Sequence, residues 1–145
     1  MKLIAHRGNI NGKESSNENK QDYIENAICL NYDVEVDVWY INGDYFLGHD
    51  GPEHKTSIEF LEYNRHHLWI HCKNLESMYR LKDTFNCFFH NTDDAVLTSN
   101  NYIWTFPGKL LMPNSIAVLP EGIYTKEQLK KCFGICSDFI GEYND

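Results

Sequence analysis

The sequence predicts an α/β fold, a reduced or distorted (β/α) TIM-like barrel with some outer helices missing. Three observations lead there. Short apolar runs of strand type alternate with stretches of helical periodicity, the pattern of right-handed βαβ units around a parallel sheet. These runs repeatedly finish in a polar or ionisable residue: His6, Asp37, His49, His71 with Lys73, His90 and Asp138. In parallel α/β folds chemistry collects at the carboxyl ends of strands, and a barrel-like sheet brings those ends to one mouth. The third observation is length. At 145 residues the chain falls short of the ~200 or more that a full eight-stranded barrel uses. Only Gly108 to Asn114 separates the strand candidates at Tyr102 and Ser115, which leaves little room for a helix.

In chain order, Lys2 to Ala5 is a short strand that runs into His6-Arg7-Gly8, and Asn9 to Asn17 is a polar, turn-rich loop. Between Asn19 and Leu30 the apolar positions Tyr23, Ile24, Ala27, Ile28 and Leu30 form a helical stripe. Asp33 to Trp39 follows as the central strand. Its Val34, Val36 and Val38 alternate with Asp33, Glu35 and Asp37, so the carboxylates share one face. Asn42-Gly43-Asp44 is a hairpin turn, and Tyr45 to Gly48 delivers His49, with Gly43, Gly48 and Gly51 shaping the approach.

Thr56 or Ser57 caps a helix over Ile58, Phe60, Leu61 and Tyr63. Leu68 to Ile70 is a strand ending at His71-Cys72-Lys73, and Asn74 caps the next helix, which carries Leu75, Met78, Tyr79, Leu81 and Phe85. Cys87 to Phe89 is a strand ending at His90. Asp93 to Asn101 reads equally as a short helix or an irregular loop. Strands follow at Tyr102 to Phe106 and Ser115 to Leu119, then a short helix at Thr125 to Phe133 and a last strand at Gly134 to Phe139.

A hydrophobic fraction of 42% and an aromatic fraction of 14% describe a folded globule, and 145 residues suit a single domain spanning 1–145. The net charge of −8 argues against a basic nucleic-acid face. Five cysteines without a CxxC, set mostly in apolar runs, read as reduced thiols of a cytoplasmic protein. No apolar run approaches the ~18 residues of a membrane span.

Glu35 and Asp37, buried side by side on one strand face, need a cation, a partner or a proton. Hard divalent ions such as Mg²⁺ or Ca²⁺ prefer carboxylate oxygens. An imidazole from His71 in the same set shifts preference toward Mn²⁺ or Zn²⁺.

The ordered set His6-Arg7-Gly8, Asn17-Glu18-Asn19, Glu35-x-Asp37 and Gly48-His49-Asp50 resembles the glycerophosphodiester phosphodiesterases and their phospholipase-C-like relatives. Those carry an HRG after the first strand, a PEN-like motif at the first helix, an E-x-D on the second strand and an HD after the hairpin. The likeness covers about the first third of the chain. Beyond it, Ile70-His71-Cys72-Lys73 lies where the family often has E-x-K. The resemblance implies a phosphodiesterase barrel with one divalent ion, two catalytic histidines and an attacking hydroxyl or water.

On that footing His6 and His49 are the acid/base pair, and Glu35, Asp37, His71 and Glu18 are metal ligands, with Glu18 alternatively orienting Arg7 and His6. Arg7 and Lys73 are phosphate clamps, while Trp104, set in Tyr-Ile-Trp-Thr-Phe, reads either as a pocket floor or as core. The chain departs from the family at Asn17, where proline is usual, at His71, where a third acidic ligand is common, and in its short length. The implied partner is a small phosphodiester or glycerol-phosphate-bearing substrate. A catalytically weak barrel module that binds phosphorylated ligands is the alternative. A homodimer covering sheet left bare by missing helices is a further expectation.

Overall fold

The structure, a computed structural model, describes residues 1–144. Among the described residues ten strands join one mixed sheet. They are β1 (Lys2–His6), β2 (Asp33–Ile41), β3 (Asp44–Leu47), β4 (His54–Thr56), β5 (Leu68–Cys72), β6 (Cys87–Phe88), β7 (Ala95–Leu97), β8 (Ile103–Thr105), β9 (Ser115–Val118) and β10 (Gly134–Ser137). The helices are short: α1 (Gln21–Cys29), α2 (Ile58–Asn64), α3 (Leu75–Leu81) and α4 (Lys126–Leu129), with a 3-10 turn over Ile140–Tyr143.

The strands run in the order β4-β3-β2-β1-β10-β9-β8-β7, and β5 pairs with both β2 and β6. This corrects the expected (β/α) TIM-like barrel. The chain builds a curled mixed sheet, half-barrel in form, without a helix after each strand. The physical reasons are local. β2 runs on to Ile41 and folds back as antiparallel β3, which pairs in turn with β4. β7 pairs antiparallel with β8, so the stretch at 93–101 supplies a strand where the sequence suggests a helix or loop. The β8–β9 connection is short and broken by Pro107-Gly108 and Pro113-Asn114, which stop a helix from starting.

Where helices do form, caps start them. Ser57 accepts from the Phe60 N–H, Asn74 from the Ser77 N–H, and Thr125 closes a capping box with Gln128. The hairpin that carries His49 is held by the Trp39 indole, which donates to the Gly48 carbonyl at 2.7 Å. Gly48 has φ +150, and a methyl group there would lie 2.2 Å from the Gly51 carbonyl oxygen, so only glycine permits this turn.

The sheet sorts its side chains by face. Val34, Val36 and Val38 are fully buried on the outer face with Ile24, Ala27, Leu61 and Leu81 of the helices. Each valine, leucine and isoleucine among them contributes about 1.5–3 kcal/mol on burial. The inner face gathers Ile4, Trp69, Phe88, Trp104, Ile116, Val118 and Cys136, drawn from six different strands. Asp33, Glu35 and Asp37 alternate with the valines and share this inner side, where the Trp69 indole donates to Asp33 at 2.9 Å. The carboxylates therefore sit across the sheet from the valines that flank them in sequence.

Candidate metal and acid–base site

The site forms at the carboxyl ends of β1, β2 and β5. Parallel pairing sets His6 opposite Glu35 and Asp37 opposite His71. Immediately after β1 the chain turns sharply: Arg7 takes φ +54 and Gly8 φ +90. A methyl at Gly8 would lie 2.7 Å from the Tyr23 ring, so glycine lets α1 pack close behind Arg7.

Glu35, Asp37 and His71 each offer a ligand atom, and these atoms lie within 4.8 Å of one another. Asp37 Oδ2 accepts from the Asn19 side-chain amide at 2.9 Å, and the Asp37 N–H donates to Asn19 Oδ1 at 3.0 Å. Asp37 Oδ1 lies 3.1 Å from His71 Nδ1 and 3.9 Å from Lys73 Nζ, without the alignment of a hydrogen bond. Arg7 Nε approaches Asp37 Oδ2 to 3.2 Å. Glu35 Oε2 is 3.8 Å from His6 Nε2 and has no hydrogen-bond partner.

Among the described residues five buried side-chain polar atoms lack a partner. Arg7 Nε, Glu35 Oε2 and Asp37 Oδ1 are three of them, and a fourth is Nδ1 of His90, whose ring stacks on His71 at 4.6 Å. A buried polar group left unpaired costs roughly 1–3 kcal/mol, so such a concentration at one spot is an open demand for a ligand. Two oxygens short of donors beside an imidazole fit a divalent cation, and Glu35, Asp37 and His71 could hold one.

Charge follows the same geometry. Burial, reinforced by the Asp37 charge, pushes the Glu35 carboxyl up to about 7. Burial would raise Asp37 too, but His71, Arg7 and the Asn19 amide outweigh it and hold that carboxyl below the usual range. Burial pushes His71 down against the pull of Asp37. His6 is raised: burial would lower it, and the Asp138 hydrogen bond and Glu35 overcome that.

Both expected acid–base histidines reach one open pocket of about 340 Å³, whose walls include Arg7, Glu18, Leu119 and Asp138. Each is oriented by a carboxylate at Nδ1. His6 lies 2.7 Å from Asp138 Oδ1, and His49 lies 2.8 Å from Asp50 Oδ1. That contact leaves Nε2 of each ring free of its orienting carboxylate, and in His6 this nitrogen lies 3.8 Å from Glu35 Oε2. His6 is nearly enclosed, with its side chain 11% exposed, while His49 stands at the rim with 41%.

Arg7 and Lys73 both flank Asp37. Glu18 stands apart from the three-ligand group. Its Oε2 is 3.2 Å from Arg7 Nη1 and its Oε1 accepts from Asn9 at 2.9 Å. Trp104 is 2% exposed and packs against Phe88 and Trp69, which places it in the core rather than on the pocket wall.

Two asparagines matter here beyond the residues the sequence singles out. Asn9, fully buried, donates to Glu18 and to Asp138 and so ties the two walls of the pocket together. Asn19 grips Asp37 at both its side chain and its backbone. Asn19 has one sequence signal, its place in the Asn17-Glu18-Asn19 motif, and Asn9 has none.

Comparison with family models, curated proteins and solved structures found no match to this chain. Among the described residues no helix is long and apolar enough to cross a membrane.

Proposed function

We propose that the protein is a divalent-metal-dependent phosphodiesterase acting on a glycerophosphodiester-type substrate. The observation that carries this reading is the pairing of two features at one mouth. Two carboxylate-oriented histidines border a pocket, and beside them lies a buried Glu35–Asp37–His71 group with oxygens short of donors. The ordered HRG, NEN, E-x-D and HD motifs of the sequence point the same way.

In this reading Arg7 and Lys73 bind the phosphate oxygens. The substrate's neighbouring hydroxyl attacks phosphorus and gives its proton to Nε2 of one histidine. The other histidine delivers a proton to the leaving oxygen as its bond to phosphorus breaks. A cyclic phosphate and an alcohol result. Water then opens the ring with the histidines exchanging roles, or the cyclic product departs. Asp138 and Asp50 keep each imidazole in the tautomer this exchange needs. An ion held by Glu35, Asp37 and His71 supplies positive charge against the phosphate oxygens.

The test is phosphorus NMR of a panel of glycerophosphodiesters incubated with the protein and Mg²⁺, Ca²⁺, Mn²⁺ or Zn²⁺, with a chelator control. A cyclic or monoester phosphate signal that the chelator abolishes is the expected result. Retained ligand affinity without turnover in any metal would replace this reading with that of a phosphate-binding module. The two cationic side chains already beside Asp37, Arg7 and Lys73, would suit such a module.

A further inference from the structure

The mouth holds four of the five buried polar atoms that lack a partner; the fifth is Oδ1 of Asn86, at the opposite end of the sheet. Asn86 lines a second cavity, of about 490 Å³. Lys2, Asp33, Asn86, Tyr102 and Phe133 stand at or just before the first residue of β1, β2, β6, β8 and β10, so this cavity opens at the amino ends of the strands. Its volume lies within the roughly 300–1,000 Å³ of small-molecule sites, and the chemistry at the mouth makes no use of it.

The wall sets three requirements on an occupant. One side is aromatic: Tyr102 packs on Phe133 with ring centroids 4.5 Å apart and on Trp69 at 5.0 Å. Tyr102 and Phe133 are only half-buried, which leaves ring surface for a flat π-system to cover. Asn86 adds an acceptor. Its buried oxygen has no donor from the protein, so the occupant must bring an N–H or O–H group.

Charge supplies the third requirement. The two carboxylates on the wall already have cations: Asp33 lies 3.0 Å from Lys2, and Asp83 lies 2.9 Å from Lys82. Arg65 is left over. Its Nε donates to His66 Nε2 at 3.4 Å, and it forms no ion pair among the described residues. An exposed guanidinium without a carboxylate, beside a cavity, is free to take an anion, and its planar fork suits phosphate.

We propose that this cavity binds a free mononucleotide. The base stacks on the Tyr102–Phe133 wall, an amino or ring N–H of the base donates to Asn86 Oδ1, and the phosphate meets Arg65. Water would satisfy Asn86 but gain nothing from the rings, and a sugar phosphate would reach Arg65 without a flat face to stack. The net charge of −8 opposes a polyanionic strand, so the single nucleotide fits and a nucleic acid does not. The site is separate from the Glu35–Asp37–His71 group and does not depend on its function.

The probe is adenosine monophosphate, titrated into the full chain by calorimetry, with adenosine, ribose phosphate and a short oligonucleotide alongside. One-to-one binding of the nucleotide is expected. Ribose phosphate, with no base to stack, should bind roughly 10–100-fold more weakly. Arg65→Gln, at an exposed position, should weaken the nucleotide roughly tenfold and leave adenosine unchanged. Asn86→Leu should weaken both, and Lys73→Gln at the mouth should change neither. No binding of the nucleotide, equal binding of ribose phosphate, tighter binding of the oligonucleotide, or sensitivity to Lys73→Gln in place of Arg65→Gln would each overturn the proposal.

Discussion

β2 carries buried carboxylates at its start and towards its middle, and the protein surrounds them in opposite ways. At its start Asp33, 5% exposed, lies 3.0 Å from Lys2 and 3.3 Å from His67 and accepts from the Trp69 indole at 2.9 Å. Both its oxygens are partnered. Further along, Glu35 and Asp37 are as deeply buried, yet each keeps one oxygen without a hydrogen-bond donor. The residue type, the strand and the face are shared. Burial and charge alone therefore do not mark a site; the shortage of partners does. A carboxylate that serves the fold is fully satisfied by it, and one held short at a mouth is available to something from outside.

The largest effect that separates the two groups is on turnover. His6→Ala or His49→Ala should lower phosphodiester cleavage roughly 10²–10⁴-fold, whereas Asp33→Asn at the start of the strand should leave kcat unchanged. Initial rates followed by phosphorus NMR check this. Loss of activity in Asp33→Asn with the fold intact would erase the distinction.

Next in size is a pH effect on stability in the metal-free protein. Glu35 has its folded pKa raised from 4.5 to about 7. Between those values the folded state holds a proton that the unfolded state has released, so stability falls as pH rises through the window. The loss attributable to Glu35 is about 3 kcal/mol. His71, with its lowered pKa, works against this trend up to 6.5, while His6, with its raised pKa, adds to the decline above it. The clean readout is therefore the difference between the wild type and Glu35→Gln in urea unfolding. Their stabilities should diverge from pH 4.5 to 7, with the variant the more stable at the upper end. A constant difference would mean that Glu35 is not strained by its neighbours.

How much of this contrast is legible in the sequence depends on how far apart the interacting groups lie. The alternation of β2 places three carboxylates on one face, and it does so correctly because a strand's period is local. The caps at Ser57, Asn74 and Thr125 are equally local and equally readable. The valines mislead: adjacent in sequence, they bury themselves on the opposite side of the sheet from the carboxylates. β4 and β7, three residues each and flanked by polar residues, give too short a pattern to register. Reading a regular βα alternation into four short helices produces a barrel where the chain folds a curled mixed sheet. The partners that tune the site are the least visible, since Asp138 meets His6 across 132 residues and Asn9 across 129. Trp104 is resolved only by packing: the sequence leaves it open between pocket floor and core, and the structure buries it against Phe88.

At the satisfied end the expected effect is structural. Asp33→Ala removes the acceptor of the buried Trp69 indole and the partner of Lys2 together, leaving an N–H with no acceptor inside the sheet. The cost should be roughly 1–3 kcal/mol in urea unfolding, with no change in metal affinity. A variant as stable as the wild type would mean that the partners around Asp33 contribute nothing net.

The smallest effect tests what kind of partner Asp33 needs. Lys2 is 41% exposed in its side chain, so its ion pair with Asp33 is largely screened by water. Lys2→Met should therefore cost less than about 1 kcal/mol, and the difference should fade near 1 M salt, where the screening length is about 3 Å. The indole, enclosed and neutral, is unaffected by salt and carries the larger share. If Lys2→Met instead matched Asp33→Ala, the start of β2 would depend on charge neutralisation as Glu35 and Asp37 do. Both groups would then be ion-seeking, and the shortage of partners at Glu35 and Asp37 would lose its meaning as the mark of a site.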